Sequence, residues 1–129
     1  MTSAEPPLAL VVEDDAAVRM LVRMILARDG WRVLEAPDAE QALAAAAGAS
    51  ELRLLVTDVF LPGMQGAELH ARLRAAIPGL RALFVSGDSR QSLIAQGAID
   101  ADSEFAQKPF TPSELAAHAR AIAGLPRST

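Results

Sequence analysis

LALVVEDDAAVRMLVRMI, residues 8–25, changes its hydrophobic period in mid-course. Residues 8–12 are an unbroken apolar run, as a strand covered on both faces requires. After the acids Glu13, Asp14 and Asp15, the apolar positions Val18, Leu21, Val22 and Ile25 recur at i, i+3, i+4 and i+7. That spacing predicts an amphipathic helix with one buried stripe, and it turns Arg19, Met20 and Arg23 outward.

The same alternation continues along the chain. Further apolar runs at residues 31–34, 52–57 and 80–86 read as strands, and a weaker, partly polar run at 104–108 suits the edge of a sheet. Helical segments lie between them. One covers residues 38–47, with Asp38 as N-cap and an alanine-rich body. A short one is built on Leu69 and Leu73, and a third runs over residues 89–96. The last helix starts with Thr111 as N-cap, Pro112 at the first helical position and Glu114 closing a capping box, and it buries Leu115, Ala119 and Ile122. Alternating strands and helices of these lengths imply parallel strands joined by right-handed crossovers, with helices on both faces. The expected fold class is therefore α/β, a doubly wound five-stranded parallel sheet with five helices. Residues 8–124 form the domain, and residues 1–7 and 125–129 are tails.

Composition narrows the function. The 129 residues suit one domain, and with 51% hydrophobic and 22% charged residues the chain has the balance of a globular protein. A formal charge of -4 argues against nucleic acid as the main partner. The chain has no cysteine, which excludes disulfides and thiolate metal sites, and its N-terminus lacks a signal-peptide core. A cytoplasmic setting is expected, and no apolar run is long enough for a membrane span.

In an open α/β sheet the functional crevice lies at the carboxyl ends of the strands, where strand order reverses. The first strand ends in Glu13, Asp14 and Asp15, the third in Asp58, the fourth in Ser86 and the fifth in Lys108. Taken singly, these are ordinary residues. An acid there caps a helix or starts a turn as often as it does chemistry, and Lys108 alone is a surface lysine. Together they form a site. Two carboxylates a few Å apart repel by about 4 kcal/mol at a surface-like dielectric, and a divalent cation offsets that. Oxygen ligands without His or Cys suit Mg²⁺ or Mn²⁺, which are commonly held by carboxylates, water and phosphate. Phosphate is then the expected substrate. Asp58 would be the nucleophile, with Lys108 and the Ser86 hydroxyl holding phosphoryl oxygens.

Read in order, VVEDD, LLVTDVFLPGMQG, LFVSGD and FAQKPF closely resemble the receiver domains of two-component response regulators over nearly the whole chain. The resemblance implies a flavodoxin-like sheet of strand order 2-1-3-4-5 and a cis peptide between Lys108 and Pro109. It makes Glu13 and Asp14 the acidic pair, Asp58 the phosphoacceptor, Ser86 the switch hydroxyl, Phe105 the switch aromatic, and the Phe60 backbone carbonyl a metal ligand. It also implies Mg²⁺ as cofactor, a histidine kinase or histidine phosphotransfer protein as donor, and a protein partner or dimer at the face of the fourth helix, fifth strand and fifth helix. The first helix, with Met20, Arg19 and Arg23, would help to dock the donor; an ordinary solvated face is the alternative.

Departures from the family pattern are mild. Ser86 keeps the hydroxyl of the commoner threonine, and Phe105 keeps the ring but not the phenol. Glu13, a methylene longer than aspartate, is expected to reach the metal through water, while the Phe60 side chain would hinder water attacking an acyl phosphate. Such a domain is a switch and not an enzyme, catalysing only its own phosphorylation and dephosphorylation.

Three other readings are weaker. An aspartyl-nucleophile phosphatase would need a second Asp at the position of Phe60 and a cap segment. A flavin-binding relative would not place Glu13, Asp14 and Asp15 beside phosphate. A phosphotransfer module would need His70 or His118 on a helical bundle, and both read as surface or helix-edge residues. No output domain is expected after residue 124, so a stand-alone regulator, a phosphate relay and a piece of a hybrid kinase stay open. LFVSG and FAQKPF look most like receivers attached to hybrid kinases.

Overall fold

Strand β1 (Leu8–Val12) is buried along its whole length, because its side chains alternate into two separate cores. The computed structural model describes residues 5–126. Leu8, Leu10 and Val12 join one apolar layer, and Ala9 and Val11 join the other. The elements follow as α1 (Ala16–Arg28), β2 (Arg32–Ala36), α2 (Ala39–Ala46), β3 (Leu52–Asp58), β4 (Phe60–Leu61), β5 (Met64–Gln65), α3 (Gly66–Ala76), β6 (Arg81–Ser86), α4 (Arg90–Ala95), β7 (Phe105–Gln107) and α5 (Pro112–Ala123).

The main sheet has the order β2-β1-β3-β6-β7, and every pairing in it is parallel. Counting only its own five strands, this is the expected 2-1-3-4-5 arrangement with five helices. The fold is flavodoxin-like. Helices α1 and α5 cover one face, while α2, α3 and α4 cover the other. Strand order reverses between β1 and β3, so the carboxyl ends of these two neighbours open the crevice in which a ligand site is expected.

Most of the helix starts match the sequence expectations. Asp38 and Ser89 cap α2 and α4, and Thr111 with Glu114 forms the full capping box of α5 behind Pro112. Asp15 caps α1, its Oδ1 accepting from the Ala17 and Val18 N–H groups at 2.9 and 3.1 Å. Leu69 and Leu73 carry α3 into the core, as do Leu115, Ala119 and Ile122 for α5.

Three local expectations need correction, and one small element was not foreseen. Leu21 is not part of the buried stripe of α1: it is 49% exposed, and Val22, Ile25 and Leu26 fill the core side. At about 100° per residue, Leu26 lies one turn beyond Val22 on the same face, whereas Leu21 aligns with Ala17 and Met24. Secondly, β2 begins at Arg32 and not at Trp31. The indole is apolar for packing and not for pairing, since Trp31 is buried with Val22, Ile25 and Leu26 beneath α1. Thirdly, β4 and β5 form a small antiparallel ribbon outside the main sheet. Its turn holds Pro62 and Gly63, the latter at φ 79°, which suits the third position of a type II turn. Finally, Arg19 and Arg23 do not point freely outward, because both pair with Glu35 on β2, at 3.6 and 3.1 Å. Of the expected tails, residues 1–4 and 127–129 lie outside the described residues.

Candidate functional site

Four neighbouring strand ends deliver the site. Glu13 follows β1, Asp58 is the last residue of β3, Ser86 is the last of β6, and Lys108 directly follows β7. Being hydrogen-bonded in parallel, these strands end at the same edge, and a cavity of about 250 Å³ there is lined by Glu13, Asp14, Asp58, Phe60, Ser86 and Lys108 among others. The Lys108 Nζ donates to Glu13 Oε1 at 2.9 Å and to Asp58 Oδ1 at 3.1 Å. Glu13 Oε2 accepts from the Asp15 N–H at 3.0 Å. Both Glu13 oxygens are thus engaged by the protein. Glu13 and Asp58 are buried, at 3% and 8% exposure, and Asp14 is exposed at the rim.

One ammonium serves two buried carboxylates, and the balance falls unevenly. Burial, helped by the hydrogen bond and charge of Glu13, pushes Asp58 up to about 7, although Lys108 pulls the other way. For Glu13, burial also opposes ionisation, but hydrogen bonds with Asp58, Lys108 and the Asp15 N–H outweigh it and hold its carboxyl below the usual range. Burial alone would lower Lys108; the two carboxylates more than reverse this and keep it firmly protonated. Asp58 is therefore the group left short of positive charge.

This shortfall is the fit test for a divalent cation. Glu13, Asp14 and Asp58 each offer an oxygen, and these atoms lie within 4.8 Å of one another. An all-oxygen, acidic donor set with one ammonium shared between its two buried carboxylates suits a hard cation. When bound, such a cation would supply charge for an incoming phosphoryl group, with Asp14 and Asp58 as direct holders and Glu13 already committed to Lys108.

The remaining expected residues lie around this centre. Ser86 Oγ accepts from the Asp88 N–H at 3.1 Å, so its hydroxyl is turned into the loop before α4. The Phe60 side chain is 44% exposed beside the cavity. The Phe105 ring is buried in the layer that contains Leu93 and Ile99. Lys108–Pro109 is a cis peptide, and the Lys108 N–H is bonded to the Ser86 carbonyl at 2.8 Å. Met20 is 54% exposed on α1. The two histidines stand apart. His70 bonds the Leu80 carbonyl at 2.9 Å and meets Phe84 edge-on, and His118 lies 3.2 Å from Glu104.

Two residues around the site escape a pattern-based reading. A Cβ placed on Gly66, the first residue of α3, would overlap the Asp58 carbonyl oxygen and come within 3.1 Å of Thr57 Cγ2. The bare backbone of Gly66 therefore allows α3 to start directly against the end of β3, where Thr57 Oγ1 donates to that same carbonyl at 3.0 Å. A glycine that follows P-G-M-Q is the available hint. Arg90, whose guanidinium lies 5.7 Å from the centre of the Phe105 ring, leaves no such hint.

Comparison with known proteins agrees with this geometry. A family profile described as the response regulator receiver domain matches residues 9–120. PetR of Rhodobacter capsulatus is 36% identical over 124 residues, which cover 95% of this chain and 51% of the relative. The sensor kinase CckA of Brucella abortus is 35% identical over 108 residues, covering 83% of this chain and 11% of the kinase. The chain spans about half the length of the regulators it matches, such as PetR and the probable transcriptional regulatory protein TcrX of Mycobacterium tuberculosis. Among solved structures, the receiver domain from the hybrid histidine kinase CckA is 31% identical, with a TM-score of 0.74, over 90% of this chain and 98% of that one. The signal receiver domain of an HD domain-containing protein from Pseudomonas fluorescens gives a TM-score of 0.81 at 26% identity, over 96% and 91% of the two chains. Among the described residues no helix is long and apolar enough to cross a membrane. The family match over most of the chain, the parallel sheet and the acidic crevice at its switch point agree: this chain belongs to the response regulator receiver domain family of two-component signalling.

Proposed function

We propose that Asp58 is the phosphoacceptor of this receiver and takes a phosphoryl group from a histidine kinase or a histidine phosphotransfer protein. The observation that carries this reading is the place of Asp58: buried, at the end of a central strand, 3.1 Å from Lys108 and grouped with Glu13 and Asp14. A carboxylate oxygen of Asp58 attacks phosphorus, the bond from phosphorus to the donor imidazole breaks, and the imidazole leaves with that electron pair. Lys108 neutralises phosphoryl charge, and Ser86 turns from Asp88 to donate its hydroxyl to a phosphoryl oxygen. Mg²⁺, or Mn²⁺ in its place, would be held by Asp14, Asp58 and the Phe60 carbonyl, and would supply positive charge during transfer.

The unit from residue 8 to residue 124 acts as a switch, not a metabolic enzyme, and catalyses only the gain and loss of its own phosphoryl group. Ser86 turned toward the phosphoryl group favours the buried place of the Phe105 ring, and the face formed by α4, β7 and α5 reports the state to a protein partner or a second copy. The exposed Met20 on α1 belongs to the donor-docking side. An acidic chain of charge -4 suits protein contact better than contact with nucleic acid, in a cytoplasmic setting.

Incubation with Mg²⁺ and a small acyl phosphate, followed by intact-mass measurement, tests the chemistry. A single phosphoryl adduct is expected in the parent and none in Asp58→Ala. No adduct in the parent, or the same adduct in the variant, would overturn the assignment.

A further inference from the structure

The geometry points to Arg90 as a positioning residue that holds the Phe105 ring in its buried place while the Ser86 hydroxyl is turned to Asp88. This rests on the proposed switch role of Phe105. The guanidinium lies 5.7 Å from the ring centre, within the range of a cation–π contact. The same guanidinium donates to the Ser103 carbonyl at 2.9 Å and to the Ala101 carbonyl at 3.4 Å, in the loop that leads into β7. One side chain therefore ties the start of α4 to the loop ahead of Phe105 and covers the ring itself.

Local structure offers no other reason for this arginine. It is the first residue of α4, where the helix dipole disfavours a cation, and the first turn contains no acid to compensate. Arg90 pairs with no carboxylate among the described ion pairs. Its partners are the ring and two carbonyls. Phe105 lacks the hydroxyl with which a tyrosine could bond a partner on either side of its swing, so the cation is the polar contact its ring retains.

The ring is only 9% exposed while Ser86 Oγ is still bound to the Asp88 N–H. Of the two moving parts, one is already in place. Binding of a phosphoryl group then has to reorganise Ser86 but not Phe105, and the apparent affinity is not reduced by a minor ring population. Without Arg90 the ring would spend more time elsewhere, and affinity would fall by the fraction of molecules no longer competent.

The test uses beryllofluoride, a phosphoryl mimic that bonds a carboxylate oxygen, in the presence of Mg²⁺. Arg90→Met keeps the aliphatic stem and removes the cation and its donors. It should weaken beryllofluoride binding by about 3- to 10-fold. Mg²⁺ affinity measured without beryllofluoride should stay at the parental value, because Arg90 does not line the acidic cavity; general damage to the fold would move both. Phe105→Leu should also weaken beryllofluoride binding, and adding Arg90→Met to it should cost nothing further. Parental beryllofluoride affinity in Arg90→Met, or losses that multiply in the double variant, would overturn the role of Arg90 while leaving the phosphoacceptor intact. Parental affinity in Phe105→Leu would remove the switch role of Phe105 and this inference with it.

Discussion

Gly66→Ala is the substitution that most directly probes how the fold holds Asp58. The added methyl would overlap the Asp58 carbonyl oxygen and would stand 3.1 Å from Thr57 Cγ2 and 3.3 Å from Thr57 Oγ1. None of these three atoms can give way cheaply: the carbonyl belongs to a central strand, and Thr57, which carries the other two, is fully buried. Forcing a methyl into packed surroundings costs about 1–3 kcal/mol. Losing the 3.0 Å bond from Thr57 Oγ1 to the Asp58 carbonyl adds about 1 kcal/mol. The better helix propensity of alanine returns about 0.5–1 kcal/mol. The net loss is about 2 kcal/mol, read as a lower urea midpoint at unchanged slope.

The same clash also acts on the chemistry. If α3 stays in place, the Asp58 backbone moves by up to about 1 Å, and misplacement of that size lowers a rate by about 100-fold. Phosphorylation by an acyl phosphate with Mg²⁺, followed by intact mass, reads this directly. Gly48→Ala is the control, since a Cβ there meets nothing within 4 Å. It should change stability by less than about 0.5 kcal/mol and leave the rate alone. A Gly66→Ala protein as stable and as fast as Gly48→Ala would refute the close approach of α3 to the end of β3.

Three further outcomes are expected. Asp58, raised in the fold from 3.8 to about 7, binds its proton more tightly folded than unfolded, so its contribution to stability falls as pH rises across that window. Asp58→Asn should therefore raise Tm more at pH 8 than at pH 5, and Mg²⁺ should raise the parent's Tm at pH 8 more than the variant's; an equal gain at both pH values would count against the raised carboxyl. His70 is held below its ordinary value, by burial first and by Arg74 and Arg81 as well, so the stability it contributes is present above about pH 6.5 and is lost as pH falls. His70→Gln should flatten the acid limb of a Tm against pH curve, and an unchanged limb would disprove this. In Phe60→Asn a polar side chain replaces an apolar one beside the cavity, and the acyl phosphate should decay faster than in the parent; slower or equal decay would sink the shielding role.

Elements were legible wherever the information is local. An unbroken apolar run gave away β1, a run broken only at Arg53 gave away the apolar body of β3, and caps such as Thr111 with Glu114 marked helix starts to the residue. Misreadings arose where a side chain's partner is distant in sequence. Trp31 has strand-like chemistry, but its ring serves the layer under α1; Leu21 fits the helix period, but Leu26 takes its place in the core. Arg19 and Arg23 read as solvated until β2 brings Glu35 beside them.

The site divides along the same line. Residue types and their order along the chain already implied an acidic, phosphate-directed crevice, because a parallel α/β sheet must bring its strand ends to one edge. Division of labour within that crevice needed tertiary distances. Lys108 reaches Glu13 across 95 positions and Asp58 across 50, and that shared ammonium leaves Asp58, not Glu13, as the carboxyl short of charge. The reason is physical: hydrophobic period and capping act over a few residues, whereas desolvation and Coulomb energy depend on which distant groups the packed sheet brings within a few Å of one another.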